Sequence, residues 1–420
     1  MTDPTARATL LQRLDASRDR LVELTQDLVR VASPNPPGDT TALARLTHDW
    51  LKTVAGAEVS LVTAEPPFVN VVARLTGNAP GRRLVFNAHL DTFPLGEDLP
   101  WTRPPLSGHV ADGQLYGRGV SDMKGGMAAS LLAFALVGEM REAWSGELVV
   151  TLASDEESMG RFGTKHLLDT LPFAAGDAMI CGDAGSADIV RFGEKGLLWV
   201  EITAAGHPAH GAHVHLGTNA IDRLRRALDT LDELRDLPVD VPPMVRAAIL
   251  ESREISEKIS GAGEAETLAN ITVNIGTIAG GVSPNLIPAT ATAAADIRLP
   301  VGVTCAAAEQ RIGELLSPLT GITWRILRRF DPNWTSPDHE IVRLVAANAA
   351  VVLGRKPAVN MRVGGSDARW YRMHGVPTVV YGLTPYNMGG ADEYVLLDEL
   401  HAVAKVHALA AFDFLSRPPG

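Results

Sequence analysis

Glu147-Leu148-Val149-Val150-Thr151-Leu152-Ala153-Ser154-Asp155-Glu156-Glu157 opens as an apolar run and closes on a cluster of acids. Glu147 to Ala153 has the length of a strand and does not alternate apolar with polar positions, the pattern of a strand covered on both faces. Two more runs behave the same way. Leu84-Val85-Phe86-Asn87-Ala88 ends in His89-Leu90-Asp91, and Asp177-Ala178-Met179-Ile180-Cys181 ends in Gly182-Asp183. Helical runs stand between them, Ala128 to Val137 and Gly163 to Leu171. Strands alternating with helices predict an α/β fold with a doubly covered, mostly parallel sheet, whose ligands bind beyond the carboxyl ends of the strands. His89, Glu156, Glu157 and Asp183 all fall at those ends.

A fourth acid belongs with them. In Tyr116-Gly117-Arg118-Gly119-Val120-Ser121-Asp122-Met123-Lys124-Gly125-Gly126-Met127, Asp122 sits where a glycine-rich turn meets the start of the helical run. A carboxylate there is favoured by the helix dipole, so a helix cap is the plain reading of this segment alone. Upstream, residues 8 to 32 and 40 to 54 show helical spacing, and Glu58–Val62 and Asn70–Leu75 read as further strands. Pro34, Pro36, Pro37 and Gly38 break the first helical pattern.

The whole chain sets broader bounds. Its 420 residues exceed one ordinary core and predict two compact units. A formal net charge of -11 argues against nucleic acid or an anionic membrane as partner. Two cysteines, Cys181 and Cys305, make no disulfide framework and fit a reducing compartment, and Cys181 reads as a small buried hydrophobe. The first ten residues lack the apolar core of a signal peptide, and no run reaches membrane-spanning length, so a cytoplasmic location is expected.

From about Gly193 the texture changes. Leu197 to Thr203 alternates like a half-exposed strand, a helical run covers 219 to 234, and Ile271–Ile278 with Ala291–Leu299 alternate as an antiparallel pair with one wet face would. Residues 193–307 are therefore expected to be an α+β unit inserted into a first domain made of 1–192 and 308–420. If the two move, hinges are expected near Gly193 and Gly302.

One histidine with several carboxylates at neighbouring strand ends is what a divalent cation such as Zn²⁺ needs, since it takes imidazole nitrogen and carboxylate oxygen. Asp91, two residues beyond His89 on the same strand face, is placed to accept the imidazole's other N–H. Adjacent side chains at a strand end diverge, so of Glu156 and Glu157 one can bind metal while the other holds water as general base. The histidines at 207, 210, 213 and 215 surround Pro208 and Gly211 and read as a loop, not a separate metal site.

These segments form a recognisable set. Phe86-Asn87-Ala88-His89-Leu90-Asp91-Thr92, Trp101 with Pro104-Pro105, Asp112 to Gly126, Ser154-Asp155-Glu156-Glu157, Gly182-Asp183 and Gly364-Gly365-Ser366-Asp367-Ala368-Arg369 resemble, in order and over nearly the whole chain, one family. It is the zinc metallopeptidase family of acetylornithine deacetylase, succinyl-diaminopimelate desuccinylase, aminoacylase and the glutamate carboxypeptidases. The resemblance implies a catalytic α/β domain with an inserted α+β dimerisation or lid domain, one or two Zn²⁺ per chain with Mn²⁺ or Co²⁺ as alternatives, and a homodimer joined through the insert. It implies that Asp122 bridges two ions, that His89 and Asp183 complete one, and that Glu157 binds the other. Glu156 becomes the base that takes a proton from water attacking an amide carbonyl and delivers it to the leaving nitrogen, with Asp91 beside it in the catalytic set. His210 aligns with a histidine that steadies the oxyanion in the partner subunit's site. Asn285, Arg298 and Gly365 align with substrate-binding positions, and Arg298 suits a carboxylate as a bidentate fork.

One departure stands out. Relatives carry a metal-binding histidine a few residues before the glutamate near the C-terminus, but Tyr386-Asn387-Met388-Gly389-Gly390-Ala391-Asp392-Glu393-Tyr394 contains none. Either Asn387 or Asp392 substitutes through oxygen, which would soften that position toward Mn²⁺ or Mg²⁺, or only one metal binds, or none binds well. At least one metal is expected to be retained, because Glu156 and the other ligands are intact. The expected function is hydrolysis of an amide bond next to a carboxylate in a small substrate such as an N-acyl amino acid or dipeptide. The alternative is a catalytically silent carboxylate-binding protein on the same fold.

Overall fold

The computed structural model describes residues 4–96 and 98–417, and the chain divides into two compact units. The first comprises residues up to Phe192, Thr335–Asn360 and Ser366 onward; the second comprises Gly193–Trp334 and Met361–Gly365.

In the first unit Arg83–His89 lies between Glu147–Ala153 and Ala178–Cys181 and is parallel to both, with His89 opposite Ala153 and Asn87 opposite Cys181. Thr378–Val380 continues the parallel set beyond Ala178–Cys181. The expected parallel sheet is thus its central part. Its margins are antiparallel: Glu58–Glu65 pairs with Phe68–Thr76, which pairs with Glu147–Ala153. Only Pro66 and Pro67 separate the first two strands, and so short a connection can join antiparallel neighbours but not parallel ones.

Gly125–Gly138 is buried along its whole length and packs on Leu397–Leu415 and on the central strands. Among the described residues Val120–Gly138 is the one segment long and apolar enough to cross a membrane, and at 94% buried it is a core helix. Its start is pinned by two glycines. A Cβ on Gly126 would lie 1.8 Å from the carbonyl oxygen of Gly182, so the helix start touches the backbone of the strand end that carries Asp183. The helical run expected over 8 to 32 is two helices, Pro4–Ala16 and Arg18–Arg30. They part at Ser17, whose hydroxyl donates to the Arg13 carbonyl oxygen at 2.8 Å.

The second unit is built on a four-stranded antiparallel sheet in the order Thr272–Gly280, Thr290–Leu299, Gly196–Ala205, Ile322–Phe330. Burial alternates strictly along Thr290–Leu299, and the inward side chains pack with Leu224 of Ala220–Leu231 and Ile312 of Cys305–Leu316. The unit runs on to Trp334, where the sequence reading ended the insert at 307. Ile322–Phe330 pairs with Gly196–Ala205 along its length, and Cys305, Ala308 and Ile312 fill the same core, so neither element separates from this sheet. Gly193 stands at a crossing between the units. Gly302 lies inside the second unit, where a Cβ would meet the Asp240 carbonyl oxygen at 2.3 Å, so the hinge expected there is not at a crossing.

Candidate metal centre

The parallel register sets the ends of Arg83–His89, Glu147–Ala153 and Ala178–Cys181 side by side. The Gly117–Lys124 turn delivers Asp122 to the same place. The ligand atoms of His89, Asp122 and Asp183 lie within 4.8 Å of one another. Among the described residues this is the one group of three or more His, Cys, Asp or Glu so arranged. Oδ1 of Asp122, seen in the sequence as a cap or a ligand, lies 3.0 Å from Nε2 of His89.

The other imidazole nitrogen shows which atom is left for a cation. Nδ1 of His89 is 2.8 Å from the backbone carbonyl oxygen of Asp91. A carbonyl only accepts, so Nδ1 carries the proton and Nε2 faces the acids. The carboxylate of Asp91, expected to take that proton, stands 3.6 Å away and does other work. Its Oδ1 accepts from the amide of Glu156 and its Oδ2 from the amide of Glu157, both at 3.1 Å, and Asn35 donates to Oδ2 at 2.9 Å. Asp91 therefore fixes the backbone that carries both glutamates, while its own carbonyl fixes the histidine.

The cluster has too much buried negative charge for its own hydrogen bonds. Burial, with Asp122 next in importance, pushes the carboxyl of Glu157 far above the usual carboxylate range. Burial does the same to Glu156, although Arg369 and His89 pull it back, and to Asp367 against Arg369. Burial also works against a charge on His89, but Asp122 and Asp91 outweigh it and raise its pKa above the usual imidazole range. Oε1 of Glu157 and Oδ1 of Asp367 are buried without a hydrogen-bond partner. Orphaned carboxylate oxygens beside an imidazole and two further carboxylates are the donor set of a hard or borderline divalent cation, and the residues fit one.

Three contributors were not legible as such in the sequence. Glu393 is buried and accepts from the amides of Gly119 and Ser121, the Ser121 hydroxyl and Nη1 of Arg118 at 2.8–3.2 Å, so it clamps the turn that presents Asp122. Gly119, in that turn, has φ +76°, and a Cβ there would lie 2.2 Å from Cγ2 of Thr92. Arg369 places Nη2 3.4 Å from Oε1 of Glu156. Asn35, read only as part of a proline-rich break, reaches Asp91 and also donates to the Ser158 hydroxyl. A buried acid or amide in a loop leaves no periodicity to find it by.

The residues of the second unit form their own arrangement. His210 bridges to Leu286, and the Asn285 carbonyl accepts from Gly211 at 2.7 Å, so His210 and Asn285 stand together. His210, His213 and His215 are exposed in a loop with ring centroids 5.8 and 6.0 Å apart, and none joins the group of ligand atoms above. The fork of Arg298 is closed on Asp296 of its own strand, Nε at 2.8 Å and Nη2 at 3.1 Å. Gly365 is half-buried at the edge of the unit.

The profile described as peptidase family M20/M25/M40 matches residues 85–413. A succinyl-diaminopimelate desuccinylase of Rhodospirillum centenum is 30% identical over 396 residues, 92% of this chain and 95% of the relative. That of Paracoccus denitrificans is 31% identical over 398 residues, with 92% and 96% covered. An M20 family metallo-carboxypeptidase from Sulfolobus solfataricus shares the fold with a TM-score of 0.78 at 20% identity, over 94% of this chain and 99% of that one.

Proposed function

Because the chain belongs to peptidase family M20/M25/M40 and is a hydrolytic enzyme, we propose that it cleaves the amide C–N bond next to a carboxylate in a small substrate such as an N-acyl amino acid or dipeptide. One observation carries this reading: His89, Asp122 and Asp183 converge within 4.8 Å at the strand ends, with Glu156 and Glu157 held beside them by Asp91.

In this reading the cation is Zn²⁺, with Mn²⁺ or Co²⁺ as substitutes, held by His89, Asp122 and Asp183. When bound it acidifies water and polarises the scissile carbonyl. Glu156 takes the proton from the attacking water as the C–O bond forms, and returns it to the amide nitrogen as the C–N bond breaks. Its buried carboxyl, raised above the usual range, suits a group that must hold a proton briefly near neutral pH. Arg369 keeps its fork near Glu156 and moderates that rise. Asn285 and Nη1 of Arg298, the nitrogen not engaged by Asp296, are assigned to the substrate carboxylate, Gly365 to substrate contact and His210 to the oxyanion in the partner subunit's site. The test is product release, read by mass spectrometry, from N-acyl amino acids, dipeptides and N-carbamoyl acids, with and without a chelator. Chelator-sensitive release of a free amino acid is expected. Silence with zinc, manganese and cobalt each supplied would leave the carboxylate-binding alternative standing.

A homodimer joined through the second unit completes the reading. Thr272–Gly280 is an edge strand exposed at every residue from Asn274 to Gly280 and bears no charge, whereas the opposite edge carries Arg325, Arg328 and Arg329. An unguarded edge invites pairing with a second copy about a two-fold axis. Ile278→Lys is expected to yield monomers by light scattering after size exclusion; a dimer that survives it would remove this edge from the interface. The buried, unpaired Cys181 and Cys305 support a reducing, cytoplasmic location.

A further inference from the structure

We infer that this chain holds one divalent cation tightly, on His89, Asp122 and Asp183, and that a second ion beside Glu157 is held only weakly, through carboxylate oxygen alone. The inference rests on the metal-dependent reading above and concerns how many ions that reading needs. Glu157, whose amide is held by Asp91, offers a buried oxygen without a hydrogen-bond partner. That oxygen can face a second ion. What it lacks is company, since among the described residues the one convergent group of ligand atoms is that of His89, Asp122 and Asp183.

The segment that would supply it is committed elsewhere. Asp392 is engaged by the Thr102–Arg103 segment: its Oδ1 accepts from the amides of Thr102 and Arg103 at 3.0 and 3.3 Å, and its Oδ2 from the Thr102 hydroxyl at 2.7 Å. Asn387 uses its Nδ2 on the Asp392 carbonyl at 3.2 Å. Both hold positive φ, 54° and 50° for Asn387 and Asp392, so they are fixed in a tight local turn. Gly389 brings no side chain and gives its carbonyl to Arg118. Both oxygens of Glu393 are consumed by the Gly119–Ser121 turn and Arg118. Tyr386 and Tyr394 stack on each other at 4.7 Å between centroids. Of the two residues expected from the sequence to soften the site, Asp392 is thus spent on Thr102 and Arg103, and Asn387 is exposed in its own turn.

Metal content separates one ion from two without reference to turnover. Purified full-length protein, loaded with excess Zn²⁺ and passed through gel filtration in metal-free buffer, is expected to retain one equivalent per chain by elemental mass spectrometry. Titration calorimetry of that protein with further Zn²⁺ is expected to show a second step at least about 100-fold weaker. Glu157→Gln should erase the weak step and keep the tight equivalent, and Asp392→Asn with Asn387→Ala should leave both as they are. Two equivalents surviving gel filtration, or a tight equivalent lost in the Asp392 or Asn387 variants, would overturn the inference. A chain that retains one ion but hydrolyses nothing would instead refute the proposed function, so the two failures are distinguishable.

Discussion

Glu156→Gln is expected to lower kcat by about 10²–10⁴-fold while leaving metal content and unfolding midpoint close to those of the parent chain. The substitution keeps the shape of the side chain and the backbone amide that Asp91 holds at 3.1 Å, so the strand end stays where it is. It removes the capacity to accept a proton, together with the charge that stands 3.4 Å from Nη2 of Arg369, a longer contact than the 2.8 Å pair of Arg118 and Glu393. Burial already charges a free-energy penalty to the carboxylate form of Glu156, so the neutral amide costs the fold nothing on that account. Glu156 is also outside the group of ligand atoms formed by His89, Asp122 and Asp183, which is why the ion should stay. The readout is paired: steady-state turnover of whichever substrate the panel identifies, and elemental analysis of the same preparation. Parent-like turnover would assign the base to another residue, and loss of the ion would make Glu156 a ligand.

The contrast between Glu156 and Asp91 shows how far the sequence could be read. A continuous apolar strand that ends in acids announces a site at its carboxyl end, and three such strands in one chain announce that their ends meet. His89 and Asp183 were legible for that reason, whereas Asp122, in a glycine-rich turn, read by itself as a helix cap; the structure brings the three together. Asp91 was legible as a partner of His89 but not in its actual manner. Sequence spacing cannot tell whether the carbonyl or the carboxylate of one residue faces an imidazole, because both lie within a few ångströms of the same Cα. The resolution depends on where Glu156 and Glu157 place their amides, which is a tertiary matter. The end of the inserted unit was misjudged for a related reason. Ile322–Phe330 carries Arg325, Arg328 and Arg329, the composition of an exposed edge strand, and only its pairing with Gly196–Ala205 shows which sheet it belongs to.

Glu393→Ala is expected to be the most damaging single change outside the ligand set, because Glu393 is the only acid paired with Arg118 among the described ion pairs. Both side chains are 1% exposed. Truncating one partner of a buried pair strands the other, at a cost of about 3–5 kcal/mol. The amides of Gly119 and Ser121 lose their acceptor at the same time, and the turn they belong to carries Asp122. Stability and metal binding should therefore fall together: a lower midpoint in urea, and an affinity for the tight ion reduced about 10–100-fold, as loss of a ligand's supporting hydrogen bonds typically does. Glu393→Gln separates the two effects. Its amide oxygen can still accept from the amide and hydroxyl of Ser121, the neighbour of Asp122, but its NH2 cannot accept from Gly119, and the Arg118 charge is left without a counter-charge. It should lose stability while keeping most of its metal affinity. If Glu393→Ala bound the ion as tightly as the parent chain, the turn would be holding its shape without the clamp, and Asp122 would owe its position to the glycines and the helix start alone.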